Sequence, residues 1–273
     1  MPVTVNDIIP LMESIAPPVL AEKWDNSGLQ LGNRQWPVRR VVIALDPSPE
    51  VITEAIRLQA DLLVTHHPFL FTPLKAIDLN TPIGGMISLA LEKRLAIYTA
   101  HTNFDSAAEG LNDMLARRLS LQHLTALQPS AMVAQGEGPQ QGLGRVGALR
   151  EKMPLRAFAL QIKQRLSLEF LLMVGDPDLP VRRVALCTGS GSSLLEAFYA
   201  TGAQVYVSGD LRYHDARTAE VNHVGLIDIG HFASEHLMVA ELQVRLQSAC
   251  GLNGISVEVQ ACSIEKNPFI LLR

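Results

Sequence analysis

Cysteine is scarce in this chain. Three of 273 residues, Cys187, Cys250 and Cys262, are spaced too widely for a disulfide framework or a thiolate zinc cluster, and they read as small buried hydrophobes. Positive charge is also in short supply. A net charge of −4 leaves no extended basic footprint, which argues against binding nucleic acid through its phosphate backbone. Nowhere do 18 apolar residues run together, so no membrane span is expected. The opening stretch MPVTVNDIIPLMESIAPP has acidic residues and no basic region ahead of an apolar one, and a soluble, cytoplasmic protein is the expectation. Against these absences stands a hydrophobic content of 48%, ample for one large or two ordinary domains.

Strand and helix signals alternate along the chain. VVIALD (41–46) and ADLLVTHH (60–67) read as buried strands, with the helical spacing of PSPEVITEAIRLQ between them; together they make a βαβ unit. MISLALEKRL reads as a second helix, AIYTAHTNFD as a strand running into a loop, and GLNDMLARRLSL as a further helix. Between Gln128 and Gly147 the apolar periodicity gives way to Gly, Gln and Pro. The expected organisation is a first α/β lobe over 1–127, a linker over 128–147 and a second α/β lobe over 148–273, whose C-terminal tail is free to pack on the first.

The second lobe repeats the first. A shift of 142 residues pairs Val42 with Val184, Glu54-Ala55 with Glu196-Ala197 and Leu63 with Val205, without a gap. A shift of 130 sets His101 on His231 and Asp105 on Glu235, so each copy ends a strand in His-x-x-x-carboxylate. The fold class expected is therefore α/β, two related lobes from an internal duplication, with a metal site in the cleft between them.

The stretch LLVTHHPFLF adds a pair of histidines. Pro68 has no N–H to continue a ladder, so His66 and His67 lie at the rim where open α/β sheets put their ligand sites. A lone His-His pair is more often plain strand-end polarity. The duplicated motif weighs against that here, because His66, His67, His101, Asp105, His231 and Glu235 would supply four imidazoles and two carboxylates, a set suited to zinc, iron, manganese or cobalt and not to calcium. Adjacent residues at a strand end point to different sides, which suits a close pair of ions, one held by each histidine.

Other segments carry weaker signals. CTGSGSS, with Ser190 and Gly191, either holds a phosphate at a helix N-terminus or is a plain N-cap. WDNSGLQ places Asn26 in a turn, and SGDLRYHD places Asp210 and His214 where the first lobe has its histidine pair, as a degenerate half-site or as part of a substrate pocket. His123, His223 and His236 read as structural.

Taken in order, AEKWDNSGLQLGN, VTHHPF, AHTNFD followed by GLND, GLGRVG, CTGSGSS, VSGDLRYHDA and GHFASE resemble the Nif-three-like proteins, described as dinuclear-metal-centre hexameric proteins and as type-two homologues of GTP cyclohydrolase one. The resemblance runs almost end to end. It implies two divalent transition-metal ions, zinc, iron or manganese, on His66, His67, Asp105, His231 and Glu235. His101 is then a sixth ligand, a proton carrier, or a structural hydrogen-bonding group. The resemblance further implies a toroidal homohexamer and a nucleotide-like substrate opened by metal-dependent hydrolysis; the alternative is a non-catalytic metal-handling or regulatory scaffold.

Overall fold

The computed structural model describes residues 2–130 and 141–272. The chain divides into two compact units, one made of the residues up to Phe104 together with those from Met238, the other of Asp105–Leu237. The first unit begins with α1 (Val5–Ile15), started by a capping box in which Asp7 Oδ2 accepts from both the backbone N and the Oγ1 of Thr4 at 2.7 Å. There follow β1 (Gly28–Leu31), β2 (Arg40–Ala44), α2 (Pro49–Arg57), β3 (Leu62–Thr65), α3 (Pro82–Glu92), β4 (Ala96–Thr99) and the short α4 (Thr102–Ser106), within which the division between units falls.

The second unit continues with α5 (Leu111–Arg118), β5 (Gln122–Pro129), β6 (Gly142–Pro154), α6 (Leu155–Arg165), β7 (Leu172–Val174), β8 (Pro180–Ser190), α7 (Leu195–Ala200), β9 (Val205–Gly209), α8 (Tyr213–Val221), β10 (Gly225–Asp228) and α9 (His231–Glu235). With α10 (Leu237–Leu252) and β11 (Glu258–Ala261) the chain returns to the first unit.

Each unit has its own sheet. In the first the order is β1-β4-β3-β2-β11, with β4, β3, β2 and β11 parallel and β1 antiparallel at the edge. Strands β3 and β4 are buried along their whole length, as parallel strands covered on both faces must be, and this is why they read as unbroken apolar runs. Helix α2 covers one face through Val51, Ile52 and Ala55. Its ends are locally specified: the Ser48 side chain accepts from the Val51 N–H, Pro49 opens the helix, and Glu50 and Arg57 match the dipole at either end. In the second unit the order is β5-β6-β8-β9-β10-β7, with β8, β9 and β10 parallel and the rest antiparallel. One apolar cluster there gathers Phe158, Val184, Leu186, Val205 and Val207, and another gathers Ala185, Cys187, Phe198 and Tyr206.

The internal repeat is visible in the ladders. Val42 pairs with Leu63 and Ala44 with Thr65 in the first sheet; Val184 pairs with Val205 and Leu186 with Val207 in the second, the same register under the shift of 142. Each unit also runs in the order helix, antiparallel edge strand, strand, helix, strand, helix, strand, short helix, from α1 to α4 and from α6 to α9. The shift of 130 holds for the short helices but not for the strands before them. Leu63 pairs with Ile97 whereas Val205 pairs with Gly225, so the second copy carries two extra residues between its last strand and His231.

Two sequence expectations need correction. Residues 102–106 are helix, not loop; five residues are too few to show an apolar period. The stretch 128–147 is not the seam between units: its flanks lie in β5 and β6, which pair with each other inside the second unit, and residues 131–140 lie outside the described residues. Residues 105–127 accordingly belong to the second unit. Residues 238–273 belong to the first, where β11 extends the sheet beside β2. Gly- and Gln-rich composition marks a connection, and a hairpin connection has the same chemistry as a domain linker. All three cysteines are buried and free, as read.

Candidate metal centre

In the first unit β3 stops at Thr65, and His66 and His67 follow directly, their backbone N–H groups donating to Leu45 O at 3.2 and 3.0 Å. His101 lies two residues beyond the end of β4. The three rings meet: His66 is 5.2 Å from His67 and 5.1 Å from His101 between centroids, and one nitrogen from each lies within 4.8 Å of the others. His66 is fully buried, and the other two reach the surface only in part.

Each ring is held through the same atom. His66 Nδ1 donates to Ala100 O at 2.9 Å, His67 Nδ1 to Asp46 Oδ1 at 2.7 Å and His101 Nδ1 to Asp25 Oδ1 at 2.7 Å. A neutral imidazole that keeps its proton on Nδ1 carries its lone pair on Nε2, so these acceptors fix both the tautomer and the aim of the donor atom. Asp25 is itself immobilised. Burial disfavours its charge, but hydrogen bonds from His101, the Thr102 hydroxyl and Ser27 outweigh that and hold its carboxyl well below the usual carboxylate range. Asp46 is placed from the far end of the chain: the Glu265 carboxylate accepts the backbone N–H groups of Leu45 and Asp46 at 2.9 Å.

The second unit has its own cluster. His231 opens α9 and Glu235 closes it, one turn apart on the same face. His231 Nδ1 donates to Asp210 Oδ2 at 2.7 Å, while its Nε2 lies 2.9 Å from Glu235 Oε2. With the proton on Nδ1, both of those atoms carry lone pairs, as the ligands of a cation do. Asp105 is also buried here, with Thr188 Oγ1 donating to Oδ1 at 3.3 Å and Asn112 Nδ2 donating to its backbone carbonyl at 3.1 Å. Burial first, and then the negative charges of Asp105 and Glu235, push the Cys187 thiol far up, so it is inert as a nucleophile.

Gly189 makes room for Glu235. It has φ of +65°, and a Cβ there would lie 2.2 Å from Glu235 Oε1 and 3.3 Å from His231 Nε2. Gly189→Ala is therefore expected to displace the carboxylate and to cost about 1–3 kcal/mol, read as a lower urea midpoint for unfolding.

The remaining sequence candidates fall in several places. Asp210 touches His231 and acts as the acceptor that orients it. His214 is on the exposed side of α8, against the Tyr213 ring. Asn26 Nδ2 donates to Gln30 Oε1 and to Leu70 O, tying two loops of the first unit together. Ser190 is exposed and pairs with Gly209 at the end of the β8–β9 ladder; the Gly191 carbonyl accepts from the Tyr206 hydroxyl, and Ser192 Oγ donates to Asp215. Asp25 and Asp46 were not among the sequence candidates. Asp46, ending the strand beside the histidine strand, carried a usable signal; Asp25, 76 residues from His101, carried none.

A protein of two α/β units bearing histidine and carboxylate clusters able to hold a metal is the class that fold and site define. The chain belongs to the Duf34/NIF3 (NGG1p interacting factor 3) family, whose model matches residues 3–268. A protein of Clostridium perfringens named GTP cyclohydrolase 1 type 2 homolog is 32% identical over 265 residues, covering 97% of this chain and 98% of its own. A protein of Nostoc sp. with the same name is 36% identical over 211 residues, 77% and 78% of the two chains. A solved Bacillus cereus structure described as related to NIF3 aligns over 100% of both chains with a TM-score of 0.92 at 29% identity. Among the described residues no helix is long and apolar enough to cross a membrane.

Proposed function

We propose that the chain binds two divalent transition-metal ions, zinc, iron or manganese, through His66, His67, Asp105, His231 and Glu235, and uses them to hydrolyse a nucleotide-like substrate. The observation that carries this reading is the uniform treatment of four imidazoles. His66, His67, His101 and His231 each give Nδ1–H to a fixed acceptor, and so each carries its lone pair on Nε2, which in His66, His67 and His231 is the donor to a cation. The nitrogen and oxygen donors fit the borderline metals, and no thiolate is needed. The printed names of the relatives supply the substrate class, since opening the guanine ring of GTP is a hydrolysis.

A pair of divalent ions, when bound, brings the pKa of coordinated water toward neutrality and offsets charge on an attacked carbon or phosphorus centre. This chain's own part is to aim the donors. Asp46, Asp210 and the Ala100 carbonyl hold three rings, and Gly189 lets Glu235 close on His231. His101 is assigned as proton carrier at Nε2, its Nδ1 being committed to Asp25. A cytoplasmic, ring-shaped homohexamer is part of the same reading.

One observation favours a second reading, a non-catalytic metal-handling scaffold. The Ser/Gly loop after β8 commits the Ser192 hydroxyl to Asp215 and the Gly191 carbonyl to Tyr206, and the helix that follows, α7, is only six residues long, which favours a structural turn. The two readings part in one assay. Protein reconstituted separately with zinc, manganese and iron is incubated with a panel of nucleotides; formate released from GTP supports the hydrolase, and a metal-replete protein inert toward the whole panel supports the scaffold.

A further inference from the structure

We infer that a cavity of the first unit walled by Trp24 and Phe71 takes the planar heteroaromatic ring of the ligand, the base of a nucleotide, and holds it beside His101. This assignment rests on the nucleotide reading above for the ligand class and on the following geometry for the place.

The cavity has a volume of about 700 Å³, within the range of small-molecule sites. Its lining is largely aliphatic, with Leu31, Leu70 and the buried Ile87 among its members. Its mouth is aromatic. Trp24 is 60% exposed and Phe71 56% exposed, an unusual investment of large apolar surface in solvent for a chain with only 5% aromatic residues. The two rings stand 6.1 Å apart at 61°, and both stand edge-on to His101, at 6.1 and 6.5 Å. The two rings touch edge to face, so a flat ring lies against this aromatic pair and not between its members, with His101 close by. An aliphatic ligand would gain burial against these walls, whereas a heteroaromatic base gains ring–ring contact as well.

The polar groups agree with this. Asp25 and Lys75 are the charged residues among those lining the cavity. The Asp25 carboxylate has no exposed surface and is spent on His101, Thr102 and Ser27. Lys75 is left as the charge at the mouth, which suits a base carrying a phosphate. Asn26 donates to the Leu70 carbonyl and so ties the loop of Trp24 to the loop of Phe71, which keeps the two walls in register before any ligand arrives.

The test separates ring recognition from turnover by using metal-free full-length protein in chelator. GMP, AMP, CMP and UMP are compared with ribose 5-phosphate, which has the phosphate and no ring, by calorimetry and by tryptophan fluorescence in a Trp36→Phe background where Trp24 is the one remaining indole. At least one nucleotide is expected to bind saturably and quench Trp24, with ribose 5-phosphate doing neither. Trp24→Ala and Phe71→Ala should each weaken that nucleotide about tenfold, the factor one stacked aromatic supplies, and Trp24→Phe should restore most of it. Both side chains are exposed, so the variants are expected to keep the wild-type circular dichroism. Equal affinity for nucleotides and ribose 5-phosphate would overturn the assignment, as would nucleotide affinity untouched by Trp24→Ala. So would concentration-dependent self-association that Phe71→Ala abolishes without affecting nucleotide, which would make the patch an interface between copies. Nucleotide bound here but never hydrolysed by the metal-loaded protein leaves the cavity assigned and removes the hydrolase. Nucleotide hydrolysed with an unchanged KM by Trp24→Ala does the reverse.

Discussion

Replacing His66 and His67 together by alanine is expected to take the protein from close to two equivalents of bound metal to a small fraction of one, measured by elemental analysis after gel filtration. These two side chains leave one strand end with their rings 5.2 Å apart, and each has its Nδ1 committed elsewhere, so removing both deletes two aimed donors at once. Full loading without either histidine would sink the site assignment. Glu235→Gln separates the roles further. The amide keeps the size of the carboxylate but not its charge, and if Glu235 lies between two cations their mutual repulsion goes uncompensated and at least one ion is lost, together with hydrolysis. His101→Ala should behave otherwise: metal retained and turnover lower by about a hundredfold to ten-thousandfold, the range of an acid–base group. Loss of metal in that variant would make His101 a ligand.

A second large effect is expected in stability. Arg145 is 1% exposed and belongs to the second unit. Asp113 takes Nε at 2.6 Å and Nη2 at 3.0 Å, and the remaining donors go to the carbonyls of Gly142, Gly144 and Ala107. Asp113→Ala leaves that guanidinium buried without its counter-charge and should cost about 3–5 kcal/mol, read from urea unfolding. Adding Arg145→Met to it should recover part of the loss and not all of it. Three carbonyls would then have lost their donor, at about 1–3 kcal/mol for each that water does not reach. Because Ala107 is two residues past Asp105, the destabilised variant should also bind metal more weakly. An Asp113→Ala protein with an unchanged urea midpoint would show that the pair holds nothing.

What was legible beforehand followed from periodicity. The buried parallel strands declare themselves as apolar runs, and the duplication shows because both copies keep the same ladder register, Val42 with Leu63 and Val184 with Val205. His231 and Glu235 were legible because the duplication sets them on His101 and Asp105; that they lie one helical turn apart on α9 was not. The seam between units was not legible. It falls inside α4, a short helix with no change of composition, while the compositional change at 128–147 is flanked by β5 and β6, which pair within one unit. Nor were the acceptors that orient the histidines, because a hydrogen bond between Asp25 and His101 depends on where two loops come to rest and leaves no trace in local pattern. In CTGSGSS the Ser192 hydroxyl goes to Asp215 and the Gly191 carbonyl accepts from Tyr206, partners that no local pattern announced.

The first unit is assembled from two stretches of chain, and the second is one continuous stretch. On a ribosome, residues 105–237 emerge in full while the first sheet still lacks β11, its neighbour to β2, and while Leu45 and Asp46 still lack the Glu265 carboxylate that fixes the turn holding His67. The support behind His67 is thus completed late in translation, while the partners of His66 and His101, Ala100 and Asp25, are made early. An immature chain that has finished only its second unit therefore offers a scavenging cation Asp105, His231 and Glu235 before the turn behind His67 is fixed.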